Sequence, residues 1–118
     1  MEKSNAVAAL LALGQDNRLD IFRLLVQAGR RGSPAGEIAS ALGLAPNTLS
    51  FHFDRLRQAE LVAVRREGRS MIYTARFDTM QALLAYLTEN CCAGDAQSCE
   101  PIGGKCLELP AATKEPTP

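Results

Sequence analysis

The stretch Ser33-Pro34-Ala35-Gly36-Glu37-Ile38-Ala39-Ser40-Ala41-Leu42-Gly43-Leu44-Ala45-Pro46-Asn47-Thr48-Leu49-Ser50-Phe51-His52-Phe53-Asp54-Arg55-Leu56 decides the fold. Ser33 before Pro34 predicts a helix start, because serine caps free N–H groups and proline suits the first helical position. Ile38, Ala39 and Leu42 carry that helix, and Gly43 ends it. Ala45-Pro46 opens a second helix almost at once. Leu49, Phe53 and Leu56 recur at i, i+4 and i+7 and form its buried face. Two short helices joined by Gly43-Leu44 make a helix-turn-helix pattern.

Upstream, Ala6 to Leu13 is Ala/Leu-rich and reads as a first helix ended by Gly14. A second follows, with Asp16 or Asn17 as its cap and Leu19, Phe22, Leu25 and Val26 at helical spacing. Downstream, Val62 and Val64 alternate in a β-prone run from Leu61 to Glu67, Gly68-Arg69 makes a turn, and Met71, Tyr73 and Ala75 alternate on the return strand. Asp78 with Gln81 resembles a capping box opening a last helix, whose stripe of Met80, Leu83, Leu84 and Leu87 Cys91 continues. The order is helix-helix-helix-helix-strand-strand-helix: mainly α with a small β-hairpin. A lone hairpin is marginal, so it must pack on the helices as the wing of a winged helix-turn-helix does. Residues 1–92 are expected to form this domain, and residues 93–118, rich in Gly, Pro and polar residues, a flexible tail.

Four cysteines and 47% hydrophobic residues sit in 118 residues of zero net charge. That suffices for one cored domain without disulfide staples. The apolar run at the N-terminus is too short to span a membrane and lacks a cleavage pattern, so the expected location is the cytoplasm, with no membrane partner. There cysteines point to metal or redox chemistry more than to structural disulfides. The charge is unevenly placed: Pro46 to Arg76 carries +3 and Phe77 to Pro118 carries −4. A basic middle can face DNA despite overall neutrality.

The second helix of the pair is expected to offer Asn47, Thr48, Ser50, Phe51, His52 and Arg55 on its exposed face. Asn, Ser, Thr and Arg hydrogen-bond base edges and phosphates in a major groove. An ordinary solvated face would read the same way, and His52 could equally touch a phosphate or pack against the wing. Arg65, Arg66 and Arg69 surround the hairpin turn, which suits phosphate or minor-groove contact, or a charged edge that blocks aggregation.

Cys91-Cys92 and Cys99 are the chemically informative set. Adjacent cysteines offer two thiolates to one soft ion, and a segment containing Gly94 and Asp95 can turn back to bring a third. Three thiolates form a pyramidal cap suited to As(III) with its lone pair. Cys106 as a fourth sulfur would allow tetrahedral zinc or cadmium. Thiols with no ligand are the remaining alternative. Enzymatic readings fare worse: none of Cys91, Cys92 and Cys99 has an arginine six residues on to cradle an oxyanion, and a single His leaves no Ser/His/Asp set evident. The expectation is a protein that is not an enzyme.

The runs Ala12-Leu13-Gly14-Gln15-Asp16-Asn17-Arg18-Leu19 with Ile21-Phe22-Arg23-Leu24-Leu25, and Ser50-Phe51-His52-Phe53-Asp54-Arg55-Leu56 with Ala59-Glu60-Leu61-Val62, resemble the ArsR/SmtB family of metal-sensing repressors. Arg66-Glu67-Gly68-Arg69 with Tyr73 looks like that family's wing, and the likeness covers roughly residues 5 to 92. The resemblance implies a homodimer joined by its first and last helices. It implies that the helix from Asn47 to Arg57 reads a partly palindromic operator in double-stranded DNA, and that ligand binding weakens DNA binding. The Cys-x-Cys pattern many arsenic sensors carry is absent from Gly36 to Leu42, and Glu60 stands where glycine is common. Cys91, Cys92 and Cys99 are similar to the set of an arsenic-responsive subgroup, which implies As(III), and Sb(III) with it, as inducer. A thiol-redox sensor or a Cd/Zn/Pb sensor on the same fold stays open.

Overall fold

A computed structural model of the protein describes residues 1–94. Five helices, α1 (Lys3–Leu13), α2 (Asp16–Ala28), α3 (Ala35–Leu42), α4 (Pro46–Gln58) and α5 (Phe77–Leu87), frame three strands, β1 (Ser33–Pro34), β2 (Val62–Glu67) and β3 (Ser70–Ala75). The fold is a winged helix-turn-helix, with α3 and α4 as the paired helices and β2–β3 as the wing. The chain divides into one compact unit from Met1 to Leu83 and a second from Leu84 onward.

In the first unit, Ile21 and Leu25 of α2, Ile38 of α3, Leu56 of α4 and Leu61 are fully buried. Each such side chain gains roughly 1.5–3 kcal/mol from leaving water. Around them lie Phe22, Leu49, Phe53, Val62, Ile72, Ala75 and Leu83, a core with no tryptophan, as the composition requires. Ala6, Ala9 and Ala12 are the buried residues of α1, and their small side chains let that helix lie close on its neighbours.

The sheet has three strands, not the two of a simple hairpin, in the antiparallel order β1-β3-β2. Ser33 pairs with Tyr73 and Pro34 with Ile72, so Ser33-Pro34 is a short strand and α3 begins only at Ala35. A tertiary contact overrides the local helix-start signal. Gly32, at φ +74°, lies so close to β3 that a Cβ there would meet the Tyr73 carbonyl and come within 2.6 Å of Thr74 Cγ2. Pro34 fits because β1 is an edge strand, where a missing N–H costs no ladder bond. At the wing tip, Glu67 pairs with Ser70, leaving a two-residue loop whose first position, Gly68, takes φ +62°. Glycine adopts that conformation without steric cost.

Three helix ends differ from expectation. The cap of α2 is Gln15, whose Oε1 accepts from the Arg18 N–H at 3.0 Å, rather than Asp16 or Asn17. Asp78 lies inside the first turn of α5, with its carboxylate held by Arg76 at 2.8 Å, instead of closing a capping box. An acidic group there still favours the helix N-terminus. At the other end α5 stops at Leu87, so Cys91 does not extend its stripe. Thr88 Oγ1 donates to the Leu84 carbonyl, Asn90 turns left-handed at φ 57°, and Cys91 begins a separate turn, Cys91–Gly94, that is not helical inside. Helix α4 ends in a Schellman closure, with Leu61 N–H donating to Leu56 O and Glu60 N–H to Arg57 O, both at 2.9 Å. Glu60, the position where glycine is common, adopts φ 61° all the same.

Candidate nucleic-acid interface

Helix α4 starts on Pro46, whose missing N–H is one that no helix start can satisfy. Leu49, His52, Phe53 and Leu56 face inward and fix its rotation. Asn47, Thr48, Ser50, Phe51, Asp54, Arg55 and Arg57 are thereby turned to solvent. Asn47 Oδ1 accepts from the Thr48 N–H at 3.0 Å. Phe51 is 51% exposed, and Arg55 holds its guanidinium 5.0 Å from the Phe51 ring centre.

His52 is the exception among the expected contacts: it is 6% exposed and does not share the outer face. Its Nδ1 accepts from Arg18 Nη1 at 3.2 Å, since a guanidinium can only donate. Arg18 Nε also donates to the Ala12 carbonyl at 2.7 Å, so one side chain joins the end of α1, the start of α2 and α4. Burial first, and the Arg18 charge second, push the His52 pKa below its ordinary value, favouring the neutral ring that accepts this bond. His52 is thus a positioning residue. The signal was present in the spacing, because Leu49, His52, Phe53 and Leu56 follow i, i+3, i+4, i+7.

The wing is tied to α4 by Phe53 and Tyr73, whose rings stack 3.6 Å apart at 8°. Its three arginines divide in role. Arg65 turns back onto the protein, donating to the Arg31 carbonyl at 2.9 Å and pairing with Glu67 at 2.7 Å. Arg66 and Arg69 are exposed at the tip, and Arg66 Nε donates to the Gly68 carbonyl at 3.2 Å. The outer face of α4 and the wing tip thus gather polar and cationic donors suited to base edges and phosphates.

In the second unit, Cys91 and Cys92 are half-buried, with their sulfurs 3.3 Å apart. Cys92 and Ala93 both take left-handed backbone, at φ 58° and 55°. A soft ion with metal–sulfur bonds of about 2.3 Å needs its sulfurs within roughly 4 Å of each other, so these two fit. Cys99 and Cys106 lie outside the described residues, and among the described residues no three His, Cys, Asp or Glu stand in metal-holding geometry. Among the described residues, no helix is long and apolar enough to cross a membrane.

Residues 13–65 match the family described as a helix-turn-helix domain. An uncharacterized HTH-type transcriptional regulator of Bacillus subtilis, YceK, is 37% identical over 73 residues, which are 62% of this chain and 72% of YceK. Among solved structures, HlyU from Vibrio cholerae superposes with a TM-score of 0.59 at 34% identity, covering 74% of this chain and 97% of HlyU. The homodimeric winged helix-turn-helix DNA-binding domain of Mb0332 from Mycobacterium bovis, described as a possible ArsR-family transcriptional regulator, gives a TM-score of 0.60 at 26% identity, covering 78% and 85%.

Proposed function

Because the chain belongs to the helix-turn-helix transcriptional regulators, we propose that it is an ArsR-type homodimeric repressor that binds operator DNA and releases it when As(III) binds its cysteines. The observation that carries the DNA-reading half is the division of α4, which buries Leu49, His52, Phe53 and Leu56 and presents Asn47, Thr48, Ser50, Phe51 and Arg55. Side-chain donors on that face read bases, while Arg66 and Arg69 at the wing tip neutralise phosphates. The assigned role is regulatory, not catalytic.

The dimeric half draws on α1, which has apolar residues on its outer side as well as its inner one. Val7, Leu10 and Leu11 are exposed, Leu11 at 71%. A helix apolar all round calls for a second partner surface, and a copy of the same chain supplies it with closed symmetry. The M. bovis relative is a homodimer.

The sensing half draws on the pair of sulfurs 3.3 Å apart in a left-handed turn. Two adjacent thiolates present a soft donor set, and Cys99 is the third ligand in this reading, completing a pyramid around As(III) or Sb(III). Capture reorganises the Cys91–Gly94 turn at the end of α5 and weakens DNA binding. The same close sulfur pair also favours a second reading, a thiol switch that responds to oxidant instead. The test is operator affinity by fluorescence anisotropy during arsenite titration. Wild type is expected to lose about 5–150-fold in affinity, the range of a coupling of ~1–3 kcal/mol, while Cys99→Ser keeps its grip. If Cys99→Ser releases DNA at the same arsenite concentration, the three-sulfur site is wrong. Release by peroxide with no arsenite response supports the redox reading.

A further inference from the structure

We infer that Phe51 and Arg55 form one base-reading unit that recognises a thymine, through its C5-methyl group, within two base pairs of a guanine; this rests on the DNA-reading role proposed for α4. Phe51 is the large aromatic of the outer face, 51% exposed among Asn47, Thr48, Ser50 and Asp54. The thymine methyl is the apolar mark that base edges present in a major groove, and an apolar side chain is its complement. A half-exposed phenyl ring is therefore matched to thymine where its polar neighbours on the helix are not.

Arg55 sets the second mark. It stands one helical turn after Phe51, with its guanidinium carbon 5.0 Å from the ring centre, while the ring edge meets His52 at 5.5 Å between centres. His52 is itself fixed by Arg18, so Phe51 rests on an anchored neighbour. The cation–π contact restricts the long Arg55 side chain to the region over the ring. A guanidinium held there keeps its fork of donors for O6 and N7 of guanine. Four residues advance about 6 Å along a helix, just under two base-pair steps of about 3.4 Å, so the two marks fall within two base pairs of each other.

The experiment selects duplexes from a random library with wild type, Phe51→Ala and Phe51→Leu, then replaces the enriched thymine with deoxyuridine, which lacks only the methyl group. Wild type should enrich a thymine with a guanine within two base pairs of it and lose about fourfold in affinity on deoxyuridine, the value of one buried methyl group. Phe51→Leu should keep the thymine preference, and Phe51→Ala should bind thymine and deoxyuridine duplexes alike. A selected duplex on which wild type is indifferent to deoxyuridine overturns this inference while leaving DNA reading intact. Failure of wild type to select any duplex overturns the DNA-reading role itself. The deoxyuridine comparison uses wild-type protein, so it stands even where a variant misfolds.

Discussion

Glu60 carries a left-handed backbone, φ 61°, at the C′ position of a Schellman closure. A side chain with a Cβ pays roughly 1 kcal/mol for that conformation, and glycine does not. Its ion pair with Arg76, 3.8 Å long and exposed, returns little. Glu60→Gly is therefore expected to raise the melting temperature by roughly 4–8 °C, read by circular dichroism; a lowered value would show that the ion pair outweighs the strain. His52 gives the pH dependence. It is the only histidine in the chain, and burial and Arg18 hold its folded pKa below the ordinary 6.5. Below pH 6.5 the unfolded chain takes up a proton that the fold resists, so stability falls as pH drops through that value and levels off below the folded pKa. Urea melts between pH 8 and 5 should show this decline, and His52→Asn should be flat over the same range. His52 was expected on the exposed face and is buried instead, although its spacing from Leu49, Phe53 and Leu56 fits the inner one. Its bond to Arg18, 34 residues away, was not legible, since local pattern carries no information about which distant donor arrives.

Among the elements, the wing separates two kinds of arginine that look alike in sequence. All three, Arg65, Arg66 and Arg69, are exposed, but Arg65 reaches back to the Arg31 carbonyl before β1, while the bond of Arg66 to Gly68 stays within the wing tip. Replacing Arg66 and Arg69 with Ala removes two arginines from each protomer of the dimer, which should weaken DNA binding evenly across sequences and lower the salt slope by about four. Arg65→Ala should lower the melting temperature instead and leave that slope in place. Equal slopes for wild type and the double variant would remove the wing from the interface. Helix α4 and the β2–β3 hairpin were legible because apolar periodicity and turn residues set them locally. Strand β1 was not, because two residues pair only where Gly32 lets the chain approach β3. The end of α5 was missed for a related reason. The apolar spacing runs on to Cys91, but Thr88 bonds back to Leu84 and Asn90 turns left-handed first.

For the whole molecule, α1 is the element whose outer side is unexplained by one chain alone. Leu11 is 71% exposed with Val7 and Leu10 beside it. Leu11→Glu is expected to shift sedimentation from dimer to monomer, and an unchanged sedimentation coefficient would place the interface elsewhere. A two-fold assembly carries two copies of α4, and their spacing fixes the spacing of the DNA marks. Hydroxyl-radical footprinting of the wild-type protein on a selected duplex is the most direct measurement. Two reading helices in successive major grooves predict two protected half-sites about 10–10.5 base pairs apart, or a multiple of that turn. Uniform cleavage on every duplex, with no protected half-site, would contradict DNA reading by this winged helix.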